Sequence, residues 1–310
     1  MESRDIKRLV IDAGAVAVGV AALGQVEPWA ENLYQRCVAD GSFGSMDYLN
    51  RYPEVRHDPR LLLDGAQSII MAAFSYKPDA RWEEENRRNR LHWARYSLGR
   101  DYHEEVRERL TKVSDIISAT TGASCRVTVD TAPLRERYWA VKAGVGFTGI
   151  NNQLIVPGAG SWCVLGGIVT TLTLVADEPC RLSCEGCMRC VRACPGRALD
   201  GCGGMDARRC MSYITIESRE WNGVHELKGG RIYGCDVCQE VCPHNAGAPA
   251  TQIENFRPRQ SIMSLTRDDI LSMEQAEFSR IFTHSAIKRA KLAGLQRNAR
   301  AINPEETQPE

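Results

Sequence analysis

The sequence predicts an α/β (α+β) domain, then a cysteine-rich module, then C-terminal helices. Three observations predict it. Helical and strand-like apolar patterns alternate through about the first 175 residues. Nine of the thirteen cysteines fall within 184–242. From about residue 260 the apolar spacing is helical again.

Taken in order, Ile6, Leu9, Val10 and Ala13 fall at helical spacing and lead into an apolar strand at 16–20. Residues 40–65 are rich in Gly and Pro and read as loops. Residues 68–74 are a continuous apolar run, a strand buried on both faces. The charge-crowded 79–91 reads as an exposed loop. Val106, Leu110, Val113 and Ile117 mark one face of a helix over 104–121, stopped by Gly122. Residues 125–130 alternate as a strand, and Pro133 suits the first turn of a helix to about Ala143. Residues 154–156 and 164–175 read as further strands. The expected divisions are 1–176, 177–248 and 249–310.

The module carries the chemistry. Cys184-x2-Cys187-x2-Cys190-x3-Cys194-Pro195 has the spacing of bacterial ferredoxin ligands to a 4Fe–4S cluster. Cys235-x2-Cys238-x3-Cys242-Pro243 answers it with one cysteine fewer, and Cys210 between them supplies the missing ligand. In two-cluster modules the fourth cysteine crosses to the other cluster. The expected sets are therefore Cys184, Cys187, Cys190 and Cys242, and Cys194, Cys210, Cys235 and Cys238. Zinc also favours Cys-x2-Cys pairs, but needs neither the tight third cysteine nor Pro after each last one. Cys37, Cys125, Cys163, Cys180 and Cys202 read as core or loop residues.

Formal charge balances, 39 Lys and Arg against 39 Asp and Glu, so no global pull on nucleic acid or membrane is expected. No apolar run reaches membrane-spanning length and no signal core opens the chain. Thirteen cysteines without an export signal point to a reducing, cytoplasmic setting. One local excess stands out. His284–Arg300 holds Lys288, Arg289, Lys291, Arg297 and Arg300 with no acid. It is either a solvated amphipathic helix or a salt-sensitive phosphate grip.

Other constellations stay two-sided. Gly144-Val-Gly146-Phe-Thr-Gly149 spells the dinucleotide fingerprint, but the expected strand-before, helix-after context is reversed, so a tight backbone turn is the better reading. Asp130 lies between a strand and a helix, as a helix cap or as a proton donor at the strand's carboxyl end. As a donor it needs burial, which raises its pKa, to outweigh a helix N-terminus, which lowers it. The aromatic and basic run from His92 to His103 is a surface turn or the wall of a planar cofactor site. Asp101-Tyr-His103 begins a cobalt-ligating Asp-x-His-x-x-Gly box, but Val106 replaces the Gly, which argues against cobalt ligation by His103.

Set side by side, 44–49, 56–63, 95–103, 129–133, 160–162, 206–217, 233–243 and 289–298 resemble the epoxyqueuosine reductase family, across about residues 5–303. The resemblance implies a cobalamin-binding N-terminal domain fed with single electrons by two 4Fe–4S clusters. It implies reduction of epoxyqueuosine to queuosine at the tRNA wobble position, the last step of queuosine biosynthesis. It makes Asp130 the proton donor and Arg137 a substrate contact. Arg56, Tyr96, Asp130, Asn151, Leu154, Leu165 and Ser212 become cobalamin contacts, and the basic C-terminal residues tRNA contacts. It also implies an external low-potential electron donor, no membrane, and a monomer. The second cysteine set is expected nearer cobalt, because Cys210-Met-Ser212 resembles the corrin-side wall. The chain departs from the pattern at Ile150, where relatives carry Lys or Arg, and at His244, where Trp is frequent. It ends at Glu310, where many relatives continue, so part of the RNA grip is expected to be missing or supplied elsewhere. The rival expectations are a dehalogenase-like cobalamin enzyme on a small substrate and a plain two-cluster electron carrier.

Overall fold

The structure is a computed structural model and describes residues 1–82, 91–219 and 227–303. Most of the charged 79–91 segment and the acidic tail lie outside the described residues.

A four-stranded sheet organises the N-terminal half. Its strands are β1 (Ala17–Ala22), β2 (Ser68–Ser75), β4 (Cys125–Thr128) and β7 (Cys163–Thr170), in the order β1-β2-β7-β4. Every pairing is antiparallel, with Ile70 opposite Val20 on one side and Ile168 on the other. All eight residues of β2 are buried. Its side chains alternate between two cores, as the period of two requires. Ile70, Ala72 and Phe74 join helices α1 (Ser3–Asp12) and α4 (Tyr102–Thr121). Ile69, Met71 and Ala73 join α2 (Pro28–Ala39) and α5 (Glu136–Lys142). Complete burial of β2 thus comes from helices on both faces of an antiparallel sheet, not from a parallel one.

That correction reaches Asp130. The rule placing ligands at the carboxyl ends of strands belongs to open α/β sheets with parallel strands. It does not apply here. Asp130 also caps nothing, because α5 starts at Glu136 and its N-cap is Arg135. Pro133 lies ahead of the helix rather than in its first turn. Most other described elements match, but the strand expected over 164–175 ends at Thr170 and the expected loop over 40–65 contains a short helix at Pro53–His57. The long helix α4 ends on Gly122 at φ 73°, and Val106, Leu110, Val113 and Ile117 are buried, each contributing roughly 1.5–3 kcal/mol. The Gly144–Gly149 segment joins α5 to a small hairpin of β5 (Phe147–Thr148) and β6 (Leu154–Ile155). A Cβ on Gly146 would sit 2.3 Å from the Ile155 carbonyl oxygen, so the glycine serves a close backbone approach.

The C-terminal region is not one amphipathic helix. It is a set of short helices closed by a last one at Lys291–Ala301, with a break at Lys291 (φ 60°). These helices pack on the module rather than on the sheet. Ile262, Phe282, Ile287 and Leu295 share a core with Trp93, Met211, Ile214 and Tyr233. Asn298, fully buried, donates to the carbonyls of Thr215 and Ile232, each at 2.9 Å. Replacing it with Leu orphans both acceptors, at about 1–3 kcal/mol each. Asn298→Leu is expected to lower the apparent melting temperature by roughly 5–15 °C. An unchanged transition would show that this helix does not brace the module.

Candidate functional site

Two cysteine groups and one polar cleft make up the site. Cys184, Cys187, Cys190 and Cys242 line a single cavity of about 300 Å³ with Ile150, Asn151 and His244. Burial raises the Cys242 thiol, and the charges of Cys184 and Cys187 raise it further. The second group couples separately. Burial, then Cys235, Cys210 and Cys194, push Cys238 far up, and burial pushes Cys235 to about 11. Such thiols favour binding to a cationic centre, which takes the place of the proton. Among the described residues, no three Cys, His, Asp or Glu side chains converge on a point as for one ion. The first set instead borders the cavity just described. Backbone N–H groups already face the sulfurs: Ile150 donates to Cys184 Sγ (3.4 Å) and Ala198 to Cys194 Sγ (3.2 Å). Donors of this kind tune cluster potentials. Ile150 thus contributes its backbone, which any residue there would supply.

The cleft is built from four segments. Asp130 carries φ 49°, a left-handed conformation that is strained for a non-glycine residue. Its N–H is held by Glu136 Oε1 at 2.7 Å. Its Oδ2 accepts from the Tyr102 hydroxyl (3.1 Å) and faces His103 Nε2 (3.0 Å). His103 Nδ1 faces Asp101 Oδ1 at 2.7 Å. Burial disfavours charge on His103, but the two carboxylates outweigh it and raise its pKa to about 9. Burial is also the largest influence on Asp130, pushing it up, yet His103, Tyr102 and Arg137 together hold it below the usual carboxylate range. Asp130 is therefore a carboxylate at neutral pH, and the stored proton sits on His103. Burial, followed by the Asp130 charge, pushes Glu136 to about 8, giving a second protonated group.

Around this chain stand Tyr48, Arg56, Tyr96 and Arg137. The Asp130 side chain is 57% exposed and Tyr48 is 38% exposed. Yet burial raises Tyr48 to about 12. Tyr48 and Arg56 both feel the Asp130 charge, so these polar groups lie close together around it. The Arg56 guanidinium donates to the carbonyls of Arg51 and Tyr48, each at 3.0 Å, fixing that loop. Tyr96 sits among Tyr76, Tyr102 and Tyr233, with ring centroids 5.8–6.4 Å away. Arg137 donates to the Asn152 carbonyl.

The remaining expected contacts scatter. Ser212 lies in the short helix Met211–Ile216, two residues after Cys210. Its neighbour Tyr213 takes the Ser45 N–H on its hydroxyl at 2.8 Å. Asn151 is buried and reaches the Cys238 carbonyl, between the cysteine groups (3.4 Å). The Leu154 side chain is committed to a core with Trp139, so it does not wall the cleft. Leu165 is half-buried against that same core. Of the basic residues, Lys288, Arg289, Lys291 and Arg300 are exposed. Arg297 turns inward to the carbonyls of Ser218 and Ile214 and is a brace, not a phosphate ligand. Arg289 pairs with Glu217 (2.6 Å) and lies 5.3 Å over the Tyr48 ring, closing the cleft mouth. His103 and Glu136 are the protonated groups beside Asp130, and the sequence reading assigned neither a role. The Asp101-x-His103 spacing was the available signal, because a carboxylate commonly orients an imidazole.

Comparisons with known proteins agree with this geometry. The family described as "Epoxyqueuosine reductase QueG, DUF1730" matches residues 56–131. A "4Fe-4S double cluster binding domain" matches 183–245. An epoxyqueuosine reductase of Vibrio cholerae is 37% identical over 93% of this chain and 79% of its own length. A crystal structure of an epoxyqueuosine reductase with an epoxyqueuosine-modified tRNA stem loop superposes with TM-score 0.85 at 27% identity, covering 96% of this chain and 79% of that one. A Bacillus subtilis epoxyqueuosine reductase superposes with TM-score 0.84 at 27% identity over the same shares, its catalytic aspartate loop swung out of the active site.

His103 gains its partners on folding, so its folded pKa, about 9, lies above its ordinary 6.5. The stabilisation is complete below pH 6.5 and is lost as pH rises through 9. NMR titration of the six histidines should show one titrating near 9. Asp130→Asn should move it down towards its ordinary value. A wild-type His103 titrating near 6.5 would contradict the proton store.

Proposed function

The chain belongs to the epoxyqueuosine reductase family of oxidoreductases, and from that premise we propose that it reduces epoxyqueuosine to queuosine at the wobble position of tRNA. This would be the last step of queuosine formation. The observation that carries the proposal is one accessible carboxylate, Asp130, held against a protonated histidine beside two cysteine sets.

The reaction sets the requirements. Removing an epoxide oxygen to leave an alkene takes two electrons and two protons and releases one water. Cobalamin, bound in the cleft, supplies the reducing centre. Arg56, Tyr96 and Tyr48 are the side chains proposed to line it, with Ser212 on the module side. Cys184, Cys187, Cys190 and Cys242 hold one cluster in this reading. Cys194, Cys210, Cys235 and Cys238 hold the other, through which electrons arrive one at a time.

Both protons come from the chain's own groups, one from His103 and the second from Glu136, which burial and the Asp130 charge keep protonated. His103 stores one between Asp101 and Asp130, at 2.7 and 3.0 Å. Asp130 passes it to the departing oxygen, and the Tyr102 hydroxyl holds the carboxylate's aim. Arg137, tethered at the Asn152 carbonyl, positions the modified base. The exposed Lys288, Lys291 and Arg300 contact RNA phosphates, while Arg289 and Arg297 order the surface beneath them. The cytoplasm is where such a substrate is met, and no helix among the described residues is long and apolar enough to cross a membrane.

The decisive experiment is anaerobic turnover of epoxyqueuosine-containing tRNA with added cobalamin, read by nucleoside mass. Wild type should yield queuosine. Asp130→Ala should keep cobalamin and both clusters but lose about 10²–10⁴ in rate. Normal turnover by that variant would remove Asp130 from the mechanism. Changing Lys288, Lys291 and Arg300 to Gln should weaken tRNA binding and flatten its log–log salt slope by about 2. An unchanged slope would place the RNA grip elsewhere.

A further inference from the structure

Beside the first cysteine cavity lies a second, open cavity of about 820 Å³, walled by Lys77, Arg95, Arg189, Arg192 and Glu240. It shares Arg189, Cys242 and Pro243 with the cysteine cavity, so the two are separated by little more than those side chains. It shares no lining residue with the Asp130 cleft.

Its charge is one-sided. Arg95 is spent on Asp236 and Glu240, at 3.0 and 2.8 Å. Lys77 and Arg192 donate to carbonyls, of Ala248 (2.5 Å) and Cys187 (2.8 Å). A carbonyl carries no charge, so both remain cationic. Arg189 projects exposed between the cavities. The surrounding chain extends the field. From 180 to 197 the exposed Arg181, Arg189, Arg192 and Arg197 face one acid, Glu185, a balance of +3 (4 − 1) in a chain of zero formal charge. Cover is also thinnest here. Cys187 is exposed, whereas the other seven cysteines of the two sets are half-buried or buried.

We infer that this face docks an acidic, low-potential electron-transfer protein that reduces the first cluster. The inference rests on Cys184, Cys187, Cys190 and Cys242 being cluster ligands. In each encounter one electron leaves the donor's reduced group and takes a 4Fe–4S cluster from the 2+ to the 1+ state, and no bond forms or breaks. A positive rim around a thinly covered redox centre steers an anionic partner and can raise association rates by roughly 10–10³. Because the face is separate from the cleft, electrons can arrive while RNA is bound.

The test is anaerobic stopped-flow mixing of the two-cluster holoenzyme with a reduced acidic flavodoxin, or with reduced methyl viologen. The readout is bleaching of the clusters' visible absorbance. With flavodoxin the wild-type rate should fall as salt rises. Arg189→Glu should slow it about tenfold or more at low salt, and Arg189→Lys should restore it. The methyl viologen rate should not fall in Arg189→Glu. A wild-type flavodoxin rate indifferent to salt would overturn the inference without reference to any variant. So would an undiminished rate in Arg189→Glu carrying its full iron. Wild-type protein with fewer than two clusters per chain would instead overturn the ligand reading beneath it.

Discussion

Arg95 and Asp236 form a buried ion pair that ties the cluster module to the sheet domain. The Arg95 guanidinium meets Asp236 Oδ2 at 3.0 Å, and the Arg95 N–H meets the same oxygen at 2.9 Å. Both side chains are under 10% exposed. Asp236 lies between Cys235 and Cys238, and Arg95 immediately precedes Tyr96 of the cleft wall. One contact therefore sets cluster ligands and cleft in register. Gln239 and Asn245 extend the seam: Gln239 donates to the Ser161 carbonyl (2.8 Å), and Asn245 accepts the Ser161 N–H (2.7 Å). Breaking a buried pair by removing one partner costs about 3–5 kcal/mol. Here the larger consequence is geometric, since electron transfer and chemistry need a fixed spacing.

The cleft solves a second problem, keeping an acid available beside a carboxylate. Burial alone would have protonated Asp130. Two hydrogen-bonding neighbours and Arg137 reverse that, and the proton moves to His103, which two carboxylates hold charged. The same carboxylates occupy both ring nitrogens of His103. That is the structural reason it is unsuited to cobalt ligation, consistent with Val106 standing where the ligating box has Gly.

What the sequence makes legible follows from how local each signal is. Cysteine spacing is a short-range property; the fold brings Cys184, Cys187, Cys190 and Cys242 to one cavity and sets Cys194, Cys210 and Cys235 near Cys238. The long helix α4 and strand β2 are legible because their apolar periods are complete. Strand direction is not legible, because it depends on connections that a single strand does not encode. A run buried on both faces leaves direction open, and here helices on both sides of an antiparallel sheet produce it. The partnership of His103 with Asp130 joins residues 27 apart through the fold. Charge counts could not separate Arg297, which is turned inward, from Arg300, which faces water.

The central claim is that this one chain stores electrons in its module and spends them with protons at the Asp130 cleft. The most direct measurement loads the holoenzyme with reduced clusters, removes excess reductant, and adds an epoxyqueuosine-containing RNA stem loop. Cluster oxidation and queuosine are followed together. Two electrons should leave the clusters for each queuosine formed, at a common rate. Clusters that stay reduced while queuosine appears, or that oxidise without it, would contradict the account.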